Sequence, residues 1–171
     1  LTLDFRLVLR HSPIGFAPIM AKLIFGDRIG KHARLVVSCA AVILDAPKQK
    51  VLLPRRSDNG LWWLPSGGMD PGENAVECCL RESMEETGLE VQVNHLIGVY
   101  TSPHLIIEYP DGNRNQSITL IFEAEVVGGK LSVTDETTEV GYYSQEQIKT
   151  MEGQDPTHES IADAFAQQAA A

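Results

Sequence analysis

The sequence predicts an α/β domain, a mixed β-sheet flanked by helices on both faces. Three stretches carry that expectation. Leu35–Leu44 is rich in valine and small apolar residues, the pattern of a buried strand. Ala75–Thr87 contains neither proline nor glycine and can run as about three to four turns of helix. Pro110-Asp-Gly-Asn113 is a hairpin turn between two strand patterns, His104–Tyr109 and Gln116–Val127. Strands and helices alternating in this way stack as a sheet between helical layers.

The remaining elements follow in chain order. Asp45–Gln49 is a turn leading into a strand at Lys50–Leu53, and Arg55–Gly60 is a polar loop. Gly60–Leu64 reads as a short strand and is followed by a glycine-containing loop. Pro71-Gly72 ends that loop, and Glu73-Asn74 starts the helix with acid near its positive end. Gly88 supplies the stop, because glycine tolerates the left-handed conformation after a helix. Val76, Leu80 and Met84 recur at steps of four and are expected to pack onto the sheet. Glu90–Thr101 reads as a strand bent at Gly98, and Gly128-Gly129 as a turn. Val140–Tyr143 is a short strand, Ser144 caps a helix of about seven residues, and His158–Gln168 is a last helix. Residues 35–168 are expected to form a single domain. Residues 1–34 are set apart as an N-terminal extension, with Met20 an alternative start.

Composition narrows the function. The chain has 171 residues, 43% of them apolar, enough for one domain with a real core. Its formal net charge is -9 and it has no basic block, which excludes grasping long nucleic acid by charge. Leu35–Leu44, the longest apolar run, is about half of what a bilayer span needs, so no membrane is expected. Cys39, Cys78 and Cys79 show neither disulfide nor zinc spacing and read as reduced, buried residues of a cytoplasmic protein. Glu123 and Glu125 lie on a strand, and His95, His104 and His158 have no ligand spacing.

The chemistry concentrates between Gly67 and Leu89. On the predicted helix, Glu82, Glu85 and Glu86 sit at i, i+3 and i+4, so their carboxylates share one face. No lysine occurs from Val51 to Asn94, and Arg81 is the only basic residue between Arg56 and His95. A solvated acidic face ordinarily intersperses lysine. A hard cation is the natural counter-charge here, since Mg2+ is held by one or two carboxylates together with substrate phosphates.

The full spacing resembles the Nudix box, the signature of the Nudix hydrolase superfamily, written G-x5-E-x7-R-E-U-x-E-E-x-G-U with U apolar. Gly67, Glu73, Arg81, Glu82, Glu85, Glu86 and Gly88 occupy its fixed positions and Leu89 its last apolar one. Ser83 departs from the pattern at a position expected to pack. The preceding segment, from Val51 through Arg55-Arg56 and Trp62-Trp63 to Gly67-Gly68, is similar to the family's lead-in. The resemblance implies an α/β/α sandwich and metal-dependent hydrolysis, with Mg2+ or Mn2+, of a diphosphate linkage in a nucleoside diphosphate derivative or triphosphate.

By the same resemblance Glu82, Glu85 and Glu86 are metal ligands, with the Gly67 carbonyl as a further one. Glu73 and Arg81 form a structural pair. The general base is a box glutamate or a glutamate of the loop Val133–Val140, where Glu136 and Glu139 are the candidates. Arg55 and Arg56 are candidates for gripping a substrate phosphate, with only one expected to face the site because neighbours on a strand point apart. Trp62, Trp63, Tyr100, Tyr109 and Phe122 are divided between core and pocket. The expected partner is a small phosphorylated substrate, with a homodimer kept open. The competing reading is a nucleotide-binding sensor of the same fold that does not cut its ligand.

Overall fold

The computed structural model describes residues 21–109, 111–151 and 158–170. Most of the expected N-terminal extension, including Met20, lies outside the described residues. The strands are β1 (Lys22–Phe25), β2 (Arg34–Ile43), β3 (Val51–Arg56), β4 (Ser66–Gly68), β5 (Leu89–Thr101), β6 (Leu105–Glu108), β7 (Arg114–Gly129) and β8 (Thr137–Tyr143). The helices are α1 (Ala75–Thr87), α2 (Gln145–Thr150) and α3 (His158–Ala170).

Six strands form a mixed sheet in the order β1-β6-β7-β2-β4, with β5 also pairing β7. The β2–β7 pair is parallel, from Arg34↔Asn115 to Ile43↔Ala124, and the other pairs in this sheet are antiparallel. β3 and β8 form a separate antiparallel ribbon. Alternation along β2 divides the core. Cys39, Ala41 and Ile43 pack with Cys78 and Cys79 of α1, while Ala40 and Val42 pack with Ile148 of α2 and Ile161 and Ala164 of α3. Helices therefore cover both faces, the layered α/β fold that the sequence predicts.

Several boundaries differ from the sequence reading. β1 pairs with β6, although the sequence predicts no element before Leu35. β3 runs through Arg55 and Arg56 because β8 extends back to Thr137 and pairs with them. The strand expected at Gly60–Leu64 is reduced to the single bridge Arg55↔Trp62, and the strand forms instead in the glycine loop, where Ser66–Gly68 pairs with Ser38–Ala40. Gly128 and Gly129 end β7 and pair with β5. Gly98 falls at a register shift of β5, matching the expected bend.

α1 corrects the amphipathic reading. Asn74 caps it, accepting from the Val76 and Glu77 N–H groups, and Glu77 closes the capping box. Gly88 ends it at φ 73°, in the left-handed region. Its buried face, however, is Cys78, Cys79, Glu82, Ser83, Glu86 and Thr87, whereas Val76 and Met84 are exposed and only Leu80 packs against the core. Small side chains at Cys79, Ser83 and Thr87 let the helix lie close to the sheet. The Ser83 and Thr87 hydroxyls satisfy themselves by donating to the carbonyls of Cys79 and Ser83.

Candidate active site

The close approach of α1 carries two carboxylates inward. Glu86 is 1% exposed; one oxygen accepts the Ser66 N–H at 3.0 Å and the other lies 3.2 Å from Nη1 of Arg56. Arg56 is itself held by Asp58, through Nε at 2.9 Å and Nη2 at 3.1 Å. Glu82 is also buried, and its carboxylate lies against the α-carbon of Gly67, where a β-carbon would overlap it. Gly67 is thus fixed by close approach: a Gly67→Ala variant must displace Glu82. It should fold but lose at least about tenfold in turnover, because small misplacements at a reacting centre are costly. Circular dichroism and steady-state kinetics check this, and wild-type turnover would show that Glu82 need not sit there.

Burial raises the pKa of both carboxyls. Glu86 is pushed up to about 8 by burial first, against the opposing pull of Arg56 and the Ser66 N–H, with repulsion from Glu82 and Glu136 adding to the rise. Glu82 is raised by burial, with Arg81 opposing and Glu85 and Glu136 contributing repulsion. Burial therefore disfavours the charged form of both carboxyls, and the neighbouring donors compensate this only in part.

Arg81 organises the rest. It donates Nε and Nη2 to the two oxygens of Glu73 at 3.1 and 2.8 Å, Nη1 to Glu82 at 2.6 Å and Glu85 at 3.1 Å, and Nη2 to the Gly68 carbonyl at 3.0 Å. The fork on Glu73 ties the loop to the helix, and the Asp70 N–H also donates to Glu73. Arg81, then this N–H, lower the Glu73 pKa to about 2. A lowered folded-state value means that this pairing contributes stability above the unfolded pKa, and the contribution is lost as pH falls from 4.5 toward 2. Tm measured from pH 6 to pH 2 should show wild type losing its advantage over Glu73→Gln across that window. Parallel curves would deny Glu73 this role.

The other candidates separate. Arg55 turns away from Glu86: it donates to Glu139 at 2.6 Å and to the Gly60 carbonyl at 3.0 Å, and lies 5.8 Å from the Trp62 ring centroid. Glu139, expected in the loop, is a β8 residue because β8 begins at Thr137, and it stands opposite Arg55. Glu136 lies in the loop, exposed, with its charge felt by both Glu82 and Glu86. Glu85 is half exposed and paired with Arg81. Glu123 is buried against Lys48 and Gln168, away from these groups. All three cysteines are free and buried, and burial raises each thiol pKa. Sequence reasoning missed the Asp58 clamp and the Ser66 N–H, the first hinted at by the close spacing of Arg56 and Asp58.

A cleft of about 890 Å3 adjoins the carboxylates. Arg56, Asp58, Ser66 and Gly67 line one end, and β1, β6, β7 and β2 supply its floor. Trp63, Tyr100 and Tyr109 line it too, whereas Trp62 packs edge-on against Tyr143 and Phe122 is in the core. A cleft of this size accommodates a nucleotide-sized molecule. Among the described residues no three His, Cys, Asp or Glu side chains converge as a ready-made metal cage. The donor set nevertheless fits a hard cation. It offers two undercompensated buried carboxylates beside a backbone carbonyl, all oxygen, and Mg2+ needs no more from a protein when phosphates complete its shell.

The chain belongs to the Nudix family: the NUDIX domain matches residues 35–165. Its class is that of the Nudix-type diphosphate hydrolases. It is 32% identical over 133 residues to an ADP-ribose pyrophosphatase of Methanocaldococcus jannaschii, covering 75% of this chain and 75% of that protein. It is 47% identical over 64 residues to a putative 8-oxo-dGTP diphosphatase of Bacillus subtilis, covering 37% of this chain and 43% of that protein. A NUDIX hydrolase from Nitrosomonas europaea shares the fold with a TM-score of 0.64 at 24% identity, covering 78% of this chain and 90% of that one. Among the described residues no helix is long and apolar enough to cross a membrane.

Proposed function

We propose that this protein hydrolyses the diphosphate linkage of a nucleoside diphosphate derivative or a nucleoside triphosphate, by attack of water on phosphorus, with Mg2+ or Mn2+ held by Glu82 and Glu86. The observation that carries the reading is the pair of buried, undercompensated carboxylates packed against the Gly67–Ser66 strand at one end of a nucleotide-sized cleft. The diphosphate-cleaving relatives support the substrate class.

A bound divalent cation would supply Lewis acidity, offsetting charge on the diphosphate and making water acidic enough to react near neutral pH. The protein supplies the rest. Glu86 and Glu82 would hold the cation, with the Gly67 carbonyl a further donor and Glu85, now paired with Arg81, a third carboxylate on the same helix face. Arg81 and Glu73 fix the loop that presents Gly67. Arg56, oriented by Asp58, faces the same end of the cleft and is the arginine placed to meet a substrate phosphate. Arg55, which pairs with Glu139 and is not among the residues lining the cleft, is not assigned that role. Glu136 is the preferred loop candidate for taking the proton from water, since its charge reaches both buried carboxylates. The chain is read as cytoplasmic.

The test is product release from ADP-ribose, nucleotide sugars, nucleoside triphosphates, dinucleoside polyphosphates and NADH, with Mg2+, Mn2+ or chelator. Turnover of one class, abolished by chelator, is the expected result. No turnover, with a nucleotide still raising Tm, would replace the hydrolase by a ligand-binding sensor.

A further inference from the structure

The cleft floor contains a registered row of side chains that the hydrolytic machinery does not use. Leu23 of β1 stands opposite Ile107 of β6, Ile107 opposite Asn115 of β7, and Asn115 opposite Arg34 of β2. Residues in register across strands present their side chains on one face, and all four line the cleft. Half of the row is apolar and half is polar. Arg34 and Asn115 have no side-chain hydrogen bond or ion pair among the described residues. The parity of β2 puts Arg34 on the same face as Ala40 and Val42, opposite the α1 face. The cleft reaches from this floor to the edge strand β4, which adjoins Glu82 and Glu86.

A group joined to a diphosphate at the β4 end would extend over this row. Its chemistry can be read from the lining. Of the charged residues that line the cleft, Asp58 pairs with Arg56 at the β4 end, and within the row Arg34 is the charged side chain. A flat molecule with apolar faces and a polar edge matches the row, and a nucleobase is such a molecule. Arg34 can only donate, and its two parallel N–H groups match the paired acceptors O6 and N7 of a 6-oxopurine. The adenine edge presents a donor at that place, which would oppose Arg34.

We propose that Arg34, with Asn115 beside it, selects a 6-oxopurine nucleotide over an adenine nucleotide, the base lying on Leu23 and Ile107. The proposal rests on the diphosphate-hydrolase reading for the placement of the phosphates, and its test separates the two. Equilibrium titration with GDP and ADP, in the presence of Mg2+, should give binding of GDP at least about tenfold tighter, the discrimination typical of one bidentate base contact. Arg34→Ala should abolish that preference by weakening GDP, leaving ADP within about twofold, and Tm should stay unchanged because Arg34 is exposed and, among the described residues, unpaired. Equal or tighter binding of ADP overturns the proposal. So does an Arg34→Ala variant that weakens both ligands alike, which would make Arg34 a phosphate contact, and so does failure of both nucleotides to bind. Turnover of GDP-mannose and ADP-ribose is measured on the same proteins. A GDP preference with no compound of the whole substrate panel cleaved, nucleoside triphosphates included, defeats the hydrolase reading alone, and cleavage of both at rates indifferent to Arg34 defeats the base-reading role alone.

Discussion

Glu86→Gln should fold and yet lose roughly a hundredfold or more in turnover, about 3 kcal/mol of barrier. The amide is nearly isosteric with the carboxylate, and its oxygen can keep the Ser66 N–H bond made at 3.0 Å. What changes is charge. Burial raises the Glu86 pKa to about 8, so ionising it at neutral pH in the metal-free protein works against the fold even with Arg56 beside it. Glutamine removes the cost of ionising a buried carboxyl together with the means of holding a cation. The variant's metal-free Tm should therefore match or exceed that of wild type, and addition of Mn2+ should raise its Tm less than it raises that of wild type. Thermal melts with and without Mn2+, alongside steady-state kinetics, separate these effects. Wild-type turnover in Glu86→Gln would remove Glu86 from the metal site.

Arg81→Ala should have the largest effect on stability. One guanidinium serves Glu73, Glu82, Glu85 and the Gly68 carbonyl. Its loss leaves the buried Glu82 carboxylate without a counter-charge and frees the loop carrying β4 from the helix. Breaking a partly buried network of this kind is expected to lower Tm by roughly 5–10 °C in a chain of this size. Activity should fall as well, because Glu82 and Gly67 lose their mutual placement. Arg81→Lys should recover only part of either property, since an ammonium cannot make the two parallel bonds to Glu73. An unchanged melting temperature in Arg81→Ala would show that the network is ornamental to the fold.

The two variants act on one short helix whose existence and ends are legible in the amino-acid sequence. Ala75–Thr87 lacks breakers, Asn74 and Gly88 are strong terminal signals, and the spacing of Glu82, Glu85 and Glu86 places them together on any helix. The helix pattern does not say which side of α1 faces the sheet. Val76, Leu80 and Met84 make the larger apolar stripe, and hydrophobicity favours it. The small side chains of Cys79, Ser83 and Thr87 prevail because they permit a closer approach, and that approach buries Glu82 and Glu86.

The local sequence specified elements whose signals lie within a few residues: α1 and its caps, the β2 strand, the turn around Gly112, the Ser144 cap, and the set of acids and arginines that make up the box. Long-range pairing specified the rest. Arg55 and Arg56 are chemically identical neighbours, and only the ribbon with β8 sends Arg56 toward Glu86 and Arg55 toward Glu139. Glu136 and Glu139 differ because β8 begins between them. The Ser66–Gly68 strand has no strand-like composition and exists because β2 offers it a partner. The row from Leu23 to Arg34 joins residues far apart in the chain through the register of four strands. Such contacts depend on which backbones meet, and side-chain periodicity in one segment carries no information about the segment opposite.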